Sequence, residues 1–432
     1  MRKDIPYILL LSLGYFALRL PWLLSVPLME APDEANHLWV AHFLSTHRCA
    51  PSYAEIISAG NVAIYGPLPP FGYLPNALAG MFADSENFRL AARLGTLIAG
   101  FPTMLAAFLL GKELFSNRFL SIMLPLLVVV HPQLVFTQSY TNTDGLVTTL
   151  CSLAICLCVR SIKGKVTIGK ASLTGFLMGW AVLCKTNSLA LVAALAFGLW
   201  SACRLQAISL IETLKVLAAF GGTLATTSIW WYVRNYFEFN HDCLGTRTMY
   251  ILWEKVLPHV DGKPILPWPY IDKLSWWRFV FFDFWGLFGF MNRYLWRPLY
   301  FAFLGLCLVA CGGYWRKMKV VGSADSAGSA DAPKSADSAP ESAVETAVWQ
   351  FLTVCAALNM VAAFYVTASG LSGPHGRYLF PAELPLLALI LGGFSRFGER
   401  AARILSITLL VLCLVSTIGG WIVFYADKSW KY

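Results

Sequence analysis

The sequence has little charge for its length. Only 13% of its 432 residues are Asp, Glu, Lys or Arg, whereas 57% are hydrophobic. A water-soluble domain of this balance would expose large apolar patches, so the composition indicates a polytopic membrane protein. The net charge of +9 does not predict nucleic-acid binding. The Lys and Arg residues stand in short groups between apolar runs, as charges that orient membrane spans do.

The eleven cysteines lack the paired C-x-x-C spacing of a zinc or redox site. Most of them fall within apolar runs, where cysteine serves as a small apolar residue. The first apolar run, residues 7–26, is too long for a secretory signal peptide, contains Arg19 and lacks a small-residue cleavage site. It predicts a first membrane span with a cytoplasmic N-terminus.

Hydropathy predicts about eleven transmembrane helices, so the expected fold class is all-α. The predicted spans are residues 7–26, 90–110, 119–136, 145–159, 171–184, 189–203, 217–233, 298–314, 349–367, 379–394 and 404–425. With a cytoplasmic N-terminus, every group of Lys and Arg between spans falls on the cytoplasmic side of the inner membrane, and the C-terminus is extracytoplasmic. Two further apolar stretches are not counted as spans, because either one would move the later Lys and Arg groups to the outer side. We predict interfacial or re-entrant helices at these stretches, residues 66–82 and 280–290.

The chain is predicted to contain two membrane modules. Residues 1–314 form the N-terminal module, with external loops at 27–89 and 234–297. Residues 321–344 are rich in Ser, Ala, Asp and Pro, cannot bury a core and predict a disordered cytoplasmic linker. Residues 345–432 form a three-helix C-terminal module.

Two adjacent acids, Asp33 and Glu34, follow the first predicted span. Pro32 suits the first position of a helix, which would place both acids in its first turn, where free amides favour carboxylates. A deprotonated acid at the membrane surface is a candidate general base, and simple helix capping is the alternative. Glu34 and His37 have the E-x-x-H spacing of metal ligands, but no second such pair follows. No metal site is therefore assigned, no other cofactor is predicted, and participation of a divalent cation stays open.

Three further polar residues are predicted to lie on the same external side. Asn142 and Asp144 precede a span, where the alternative role of Asp144 is that of a helix N-cap. Lys185 interrupts two short apolar runs, so it either extends towards the surface or holds an anion.

Two more external segments carry cations. Arg234 ends the next outward span after Trp230-Trp231-Tyr232, where an arginine of the aromatic belt is the ordinary interpretation. His375, Arg377 and Tyr378 lie in an external turn whose Gly and Pro residues suit a close approach to a ligand, although tight turns need them too. External acids with several cations on the same side suit a reaction on a phosphate-bearing lipid.

The order and common sidedness of these motifs resemble the GT-C superfamily of membrane glycosyltransferases. The likeness covers roughly the whole chain apart from the linker. It is to the mannosyltransferase-like and aminoarabinose-transferase-like members, and within the superfamily it is greatest to a bacterial family of membrane proteins. The motifs are Pro32-Asp33-Glu34-x-x-His37, the Pro-rich residues 65–70, Asn142-x-Asp144, the break at Lys185, Trp230-Trp231-Tyr232-x-Arg234-Asn235, the aromatic residues 284–289 and Gly376-Arg377-Tyr378-x-x-Pro381.

The resemblance implies that Asp33, with Glu34 beside it, is the catalytic acid. It implies a polyprenyl-phosphate sugar as donor and a glycan, lipid or protein of the cell envelope as acceptor, and we expect an inverting transfer. The substrate-binding residues are then His37, Asn142, Asp144, Lys185, Arg234, His375, Arg377 and Tyr378. The sequence departs from the pattern in lacking a large external domain and a proline before Asp144, which leaves the acceptor open.

Two other classes of protein fit the composition. A transporter or flippase of lipid-linked glycans would show internal repeats and charged residues deep in several spans, and no repeat is visible here. A non-catalytic membrane scaffold would use the linker to bind partners. Convergence of polar side chains on one outward cavity would favour the enzyme, and a polar path through the bilayer would favour transport.

Overall fold

The structure is a computed structural model that describes residues 4–28, 30–255, 259–260, 263–264, 273–324, 341–368 and 373–426. These residues are almost entirely helical, which confirms the all-α fold class. The strands in the described part are two antiparallel pairs of two-residue segments.

The first half of the described chain contains eleven α-helices. They are α1 (Ile5–Ser25), α2 (Glu34–His47), α3 (Tyr53–Ala59), α4 (Leu74–Gly80), α5 (Phe88–Leu114), α6 (Arg118–Val130), α7 (Pro132–Thr137), α8 (Asp144–Lys163), α9 (Ile168–Cys184), α10 (Ala190–Leu205) and α11 (Leu210–Glu238). Short 3₁₀ turns at Gly60–Ala63, Pro70–Tyr73 and Thr186–Leu189 connect some of them.

The second half contains six further helices and the two hairpins. They are α12 (Thr246–Glu254), β1 (His259–Val260), β2 (Lys263–Pro264), α13 (Lys273–Gly286), β3 (Leu287–Phe288), β4 (Arg293–Tyr294), α14 (Arg297–Ala324), α15 (Glu341–Ala368), α16 (Glu383–Ser395) and α17 (Glu399–Trp421). A 3₁₀ segment, Gly376–Ala382, leads directly into α16, and a π-helical turn, Ile422–Ala426, follows α17.

Nine helical segments of the described residues are long and apolar enough to cross a membrane. They are Ile5–Ser25, Phe88–Leu114, Asp144–Lys163, Thr186–Leu205, Leu210–Glu238, Arg297–Trp315, Glu341–Ala368, Gly376–Ser395 and Glu399–Tyr425. Two shorter apolar helices, α6 and α9, bring the number to the predicted eleven, and each predicted span overlaps one of these helices. The prediction of a polytopic membrane protein is therefore confirmed.

The two apolar stretches that we excluded from the spans are short and helical in part. The first contains the Pro70–Tyr73 turn and α4, and the second is the end of α13 with strand β3. Of the predicted linker, residues 321–324 continue α14 and residues 341–344 begin α15. The remainder of that predicted linker lies outside the described residues.

The core of the bundle lies around α8. This helix is buried along most of its length and packs against α5, α9 and α10, while α9 packs along α11. Helices α15, α16 and α14 complete the bundle, with α15 against α10 and α16 between α15 and α14. The loops at the ends of these helices are therefore held on a rigid frame.

A break between α6 and α7 directs the chain towards the site. Pro132 begins α7 and has no backbone N–H, so the last carbonyl groups of α6 lack helical donors. The buried guanidinium of Arg19 donates to the carbonyl oxygens of Val128 (3.2 Å) and Val129 (2.9 Å), and to Oε1 of Gln138 (2.8 Å). This intramembrane arginine thus stabilises the break.

Candidate active site

Asp33 lies in the connection between α1 and α2, at the end of the bundle where α1 ends. It is the residue before α2, in the left-handed conformation at φ 60°, and its side chain makes no capping hydrogen bond. The prediction that Pro32 begins the helix and that Asp33 lies in the first turn is therefore corrected by two residues. A non-glycine residue with positive φ is uncommon and marks a locally strained backbone. The carboxylate of Asp33 therefore does not serve as a helix cap, which was the alternative to a catalytic role.

The carboxylate of Asp33 instead faces Arg377 and Tyr65. Its Oδ2 lies 3.4 Å from Nη2 of Arg377, and the hydroxyl of Tyr65 is within hydrogen-bonding reach. The side chain of Asp33 keeps 28% exposure, whereas that of Arg377 has 8%. Burial, followed by the negative charge of Asp33, raises the pKa of Tyr65 well above its usual value, so its hydroxyl stays a donor.

Glu34 takes a different environment from its neighbour. It is buried and receives two hydrogen bonds from Arg93, at 2.7 and 2.6 Å, and one from the backbone amide of Thr141, at 3.0 Å. Arg93 also donates to the carbonyl oxygens of Leu23 and Val26. Glu34 therefore ties the end of α1 and the segment before α8 together, and its geometry favours a structural role over the predicted catalytic one.

Asp144 and Lys185 form a second acid–base pair beside the first. Lys185 Nζ lies 2.5 Å from Oδ1 of Asp144, and the Asp144 side chain is 2% exposed against 21% for Lys185. Asp144 is the first residue of α8, and Thr143 occupies the N-cap position without a side-chain bond. Asn142 organises the loop: its amide donates to the carbonyl oxygens of Thr137 and Tyr140, and its oxygen accepts from the Asp144 amide.

Arg377 links the two acid–base pairs to α13. Its Nη1 lies 3.2 Å from the hydroxyl of Tyr140, and its backbone amide donates to Oδ2 of Asp283 at 3.3 Å. A side chain at Gly376 would meet the backbone nitrogen of Phe284 at 2.1 Å, so glycine permits the close approach of this turn to α13. Nε of Arg377 is buried and has no acceptor among the described residues, which leaves it available to an anion.

His375 and Tyr378 lie beside Arg377 in the same turn. Nδ1 of His375 is 3.9 Å from Oδ2 of Asp283, and the Tyr378 ring lies below Nζ of Lys185, 5.2 Å from its centroid. Burial raises the pKa of Asp283 to about 6. Burial, followed by the positive charges of Arg377 and Lys185, lowers the pKa of His375 well below its usual value, so this imidazole is neutral at pH 7.

His37 and two tyrosines form an aromatic wall beside Asp33. The His37 ring stacks on Tyr65 with centroids 4.8 Å apart, and its Nδ1 lies 2.6 Å from the Tyr73 hydroxyl. Burial, followed by the charges of Arg377 and Lys185, lowers the pKa of His37, so it too is neutral. A Cβ at Gly72 would meet the Thr143 side chain at 2.5 Å, so the 3₁₀ turn that carries Tyr73 lies directly over the start of α8.

We refer to Asp33, Asp144, Lys185 and Arg377 as the charged cluster. Lys185 interacts electrostatically with all three of the others, and burial is the largest cause of its lowered pKa, with the charge of Asp144 opposing it. Two acids and two bases give the cluster no net charge when all four are ionised. An anionic ligand would therefore compete with Asp33 and Asp144 for the two cations.

Arg234 lies outside the charged cluster. Its guanidinium donates to the carbonyl oxygen of Pro51 at 2.8 Å and to Oδ1 of Asn235 at 3.1 Å. It also lies over the rings of Trp231 and Phe239, at 4.8 and 5.5 Å from their centroids. The alternative interpretation, an arginine of the aromatic belt, describes this geometry better than donor binding does.

Metal ligands are not assembled at the site in the part of the chain that the structure describes. No group of three His, Cys, Asp or Glu side chains there is placed to hold an ion. The E-x-x-H pair is divided, because Glu34 faces Arg93 and His37 faces Tyr65. A divalent cation would need ligands beyond those that these residues bring together.

Comparisons with known proteins agree with this architecture. Residues 69–232 match the family model described as dolichyl-phosphate-mannose-protein mannosyltransferase. The oligosaccharyltransferase of Archaeoglobus fulgidus matches in its apo form with 13% identity and a TM-score of 0.54, over 99% of this chain and 57% of that chain. The structural match shows that the helical bundle shares the fold of that archaeal enzyme.

The chain has the GT-C fold. The same archaeal enzyme, AglB, in complex with an inhibitory peptide and a dolichol-phosphate, matches this GT-C protein with 11% identity and a TM-score of 0.51, over 99% of this chain and 57% of that one. ArnT from Cupriavidus metallidurans, bound to undecaprenyl phosphate, matches with 14% identity and a TM-score of 0.42, over 96% of this chain and 78% of that one. No curated protein sequence matches.

The GT-C protein spans little more than half the length of the archaeal enzyme that it matches. The resemblance predicted from its motifs is confirmed at the level of the fold. The donor, the acceptor and the roles of individual residues are matters for proposal.

Several residues of the site have no motif of their own in the sequence. Tyr73 and Tyr140 contact the predicted residues His37 and Arg377, but single tyrosines near span ends are too common to stand out. Arg93 has a usable signal, because an arginine inside a predicted span needs a partner. Asp283 has a related signal, as an acid within the apolar stretch 280–290, and the structure gives it Arg377 and His375 as partners.

Proposed function

We propose that this GT-C protein is a glycosyltransferase that uses a polyprenyl-phosphate sugar as donor. The acceptor is a glycan, lipid or protein of the cell envelope, and the reaction takes place at the outer face of the cytoplasmic membrane. The observation that carries the proposal is the position of the Asp33 carboxylate. It is partly exposed, is not used as a helix cap and shares one cluster with Lys185 and Arg377.

The proposed reaction is a direct displacement at C1 of the sugar. The acceptor hydroxyl oxygen bonds to C1 while its proton passes to Asp33, and the bond between C1 and the phosphate oxygen breaks. The bonding electrons leave with the polyprenyl phosphate. Attack from the face opposite the leaving group inverts the configuration at C1. General base catalysis of this kind contributes about 10²–10⁴-fold.

Arg377 and Lys185 are the proposed partners of the donor phosphate. Arg377 presents a buried Nε with no acceptor among the described residues, and guanidinium groups suit phosphate oxygens. A phosphate bound to the two cations would compete with Asp33 and Asp144 for them, which frees the Asp33 carboxylate to face the acceptor hydroxyl. The proposed sugar site is formed by neutral aromatic side chains with hydrogen-bonding groups, namely those of Tyr65, His37 and Tyr378. The loop before α8, with Asn142 and Asp144, forms the inner side of this site.

The topology of the membrane is part of the proposal. The N-terminus is cytoplasmic and the C-terminus extracytoplasmic, since this orientation places Lys and Arg groups inside. The charged cluster then faces the compartment in which lipid-linked donors are consumed. The acceptor is proposed to bind at the outer loops, next to the charged cluster.

The decisive experiment is the transfer of sugar by the purified protein from a panel of polyprenyl-phosphate sugars, with and without chelator. The Asp33→Asn variant is expected to lose about 10²–10⁴-fold in turnover while donor binding is retained, because Asn keeps the shape but accepts no proton. Asp84→Asn, in the same outer segment but exposed, is the matched control and should keep wild-type turnover. Full activity of Asp33→Asn, or transfer from nucleotide sugars alone, would overturn the assignment.

Flippase activity is the competing function and calls for a different assay. The charged cluster sits at one end of the bundle, which favours chemistry at a surface over passage through the membrane. Movement of a lipid-linked glycan across vesicles without any covalent transfer would support the flippase instead.

A further inference from the structure

A second ionisable pair lies below the charged cluster and has no part in the reaction proposed above. Nδ1 of His131 is 3.4 Å from Oε1 of Glu383, and both side chains are completely buried. Among the described residues, neither ring nitrogen and neither carboxyl oxygen makes a regular hydrogen bond, and the 3.4 Å contact between the two side chains is long for one. The rings of Phe284, Trp285 and Phe380 surround the imidazole. Ionisable groups kept in such surroundings are candidates for a functional role.

The pair joins the two chain segments that support the top of the site. His131 is the joint between α6 and α7, and the segment that follows it leads to Tyr140. Glu383 is the first residue of α16 and directly follows the 3₁₀ segment that carries Arg377. The two segments meet again where Nη1 of Arg377 lies 3.2 Å from the Tyr140 hydroxyl. The two segments therefore approach each other at both ends.

The surroundings favour an uncharged pair. A carboxylate of Glu383 would have no donor other than His131 among the described residues, and a buried ion pair without further hydrogen bonds does not repay its desolvation. The guanidinium of Arg19 acts on His131 electrostatically and opposes an imidazolium. The acceptors of Arg19 are the neutral groups of Tyr15, Gln138, Val128 and Val129, so its positive charge is not cancelled by them.

We propose that protonated Glu383 and neutral His131 form a hydrogen-bonded pair that positions Arg377 for the donor phosphate. In this pair the Glu383 hydroxyl donates to Nδ1 of His131. Both are positioning residues, because they act through Arg377 and do not reach the reacting atoms. The inference rests on the proposed function, since it assigns them a purpose in that reaction.

The test compares variants that keep the hydrogen bond with variants that remove it. Glu383→Gln keeps a neutral donor of the same shape, whereas Glu383→Met and His131→Phe keep the volume but remove the bond. We expect Glu383→Met and His131→Phe each to raise KM for a polyprenyl-phosphate sugar at least about 5-fold with a smaller change in kcat, and Glu383→Gln to restore KM to within about 2-fold. The double variant should be no worse than either single one, because both remove the same interaction.

Three outcomes decide the matter. Wild-type KM in Glu383→Met would overturn the inference, as would a loss in Glu383→Gln equal to that in Glu383→Met, which would show that the negative charge is needed. The thermal midpoints of the wild type, Glu383→Met, His131→Phe and their double variant test the pair without any substrate. The effects of the two substitutions on the midpoint should be non-additive. If the wild-type protein transfers no sugar from any lipid donor, the proposed function fails, and the positioning role fails with it. A non-additive cycle would then still identify the pair as structural.

Discussion

The two ends of the helical bundle use the same kinds of ion pair in opposite ways. At the end where α1 begins, exposed pairs predominate, in which both side chains keep about a quarter or more of their surface. They include Lys112–Asp4, Arg160–Glu113 and Arg403–Glu399. At the other end one or both partners are buried, in Arg93–Glu34, Arg377–Asp33 and Lys185–Asp144. Exposed pairs of the first kind contribute little to stability, whereas loss of one partner from a pair of the second kind leaves a buried charge without compensation.

The strongest way to break this comparison is to remove one partner of the fully buried pair. Arg93→Leu leaves Glu34 buried without its bidentate partner, and we expect a loss of about 3–5 kcal/mol in the free energy of unfolding. The thermal midpoint of the detergent-solubilised protein measures it. The double variant Arg93→Leu/Glu34→Leu removes both charges and should recover a large part of the loss. A single variant as stable as wild type would show that Glu34 finds another partner.

An effect of intermediate size is expected from the carboxyl group of Asp283, which makes the stability of the protein depend on pH. Its pKa, raised to about 6 by burial, means that the folded protein favours the protonated form. The resulting stability is fully present below about pH 4 and is lost as the pH rises through 6, up to about 3 kcal/mol in all. Asp283→Asn should flatten the change of thermal midpoint between pH 4 and 7, measured against wild type in the same buffers. An unchanged slope would assign it to other groups, such as His375.

The smallest effect is expected at the exposed end. Glu399→Ala removes the partner of Arg403 in the i,i+4 pair of α17, whose nitrogen and oxygen are 2.6 Å apart. Both side chains are more than half exposed, so we expect a change of only about 0.3–0.5 kcal/mol. Thermal midpoints at low and high salt measure it, and the difference from wild type should shrink at high salt. A loss as large as that of Arg93→Leu would contradict the distinction between the two ends.

Hydropathy predicted the frame well because each span is decided by its own residues. All eleven spans, and the choice to keep residues 66–82 and 280–290 out of that count, follow from local composition and the sidedness of Lys and Arg. The grouping of Asp33, Asp144, Lys185 and Arg377 at one end also followed, since each stands next to a span end. Two residues at span ends lie on the same side of the membrane when the number of spans between them is even, and the predicted spans meet this condition for all four residues.

The pairings within the site could not be predicted in the same way. Glu34 and Asp33 are neighbours in sequence, yet one meets Arg93 and the other Arg377, which is 344 positions away. Such partners depend on which helices touch, and apolar periodicity carries no information about that. The left-handed backbone of Asp33 and the position of Arg234 outside the charged cluster belong to the same class of unpredictable detail.

The left-handed conformation of Asp33 makes chemical rescue feasible. Glycine adopts φ 60° without strain, whereas alanine there costs about 1–2 kcal/mol, so Asp33→Gly removes the carboxylate and relaxes the backbone at once. The space vacated by the side chain is open to solvent on one side and faces a guanidinium on the other. Formate or acetate added to such a variant would have both an entrance and a counter-ion, and restored turnover would identify the missing group by its chemistry alone.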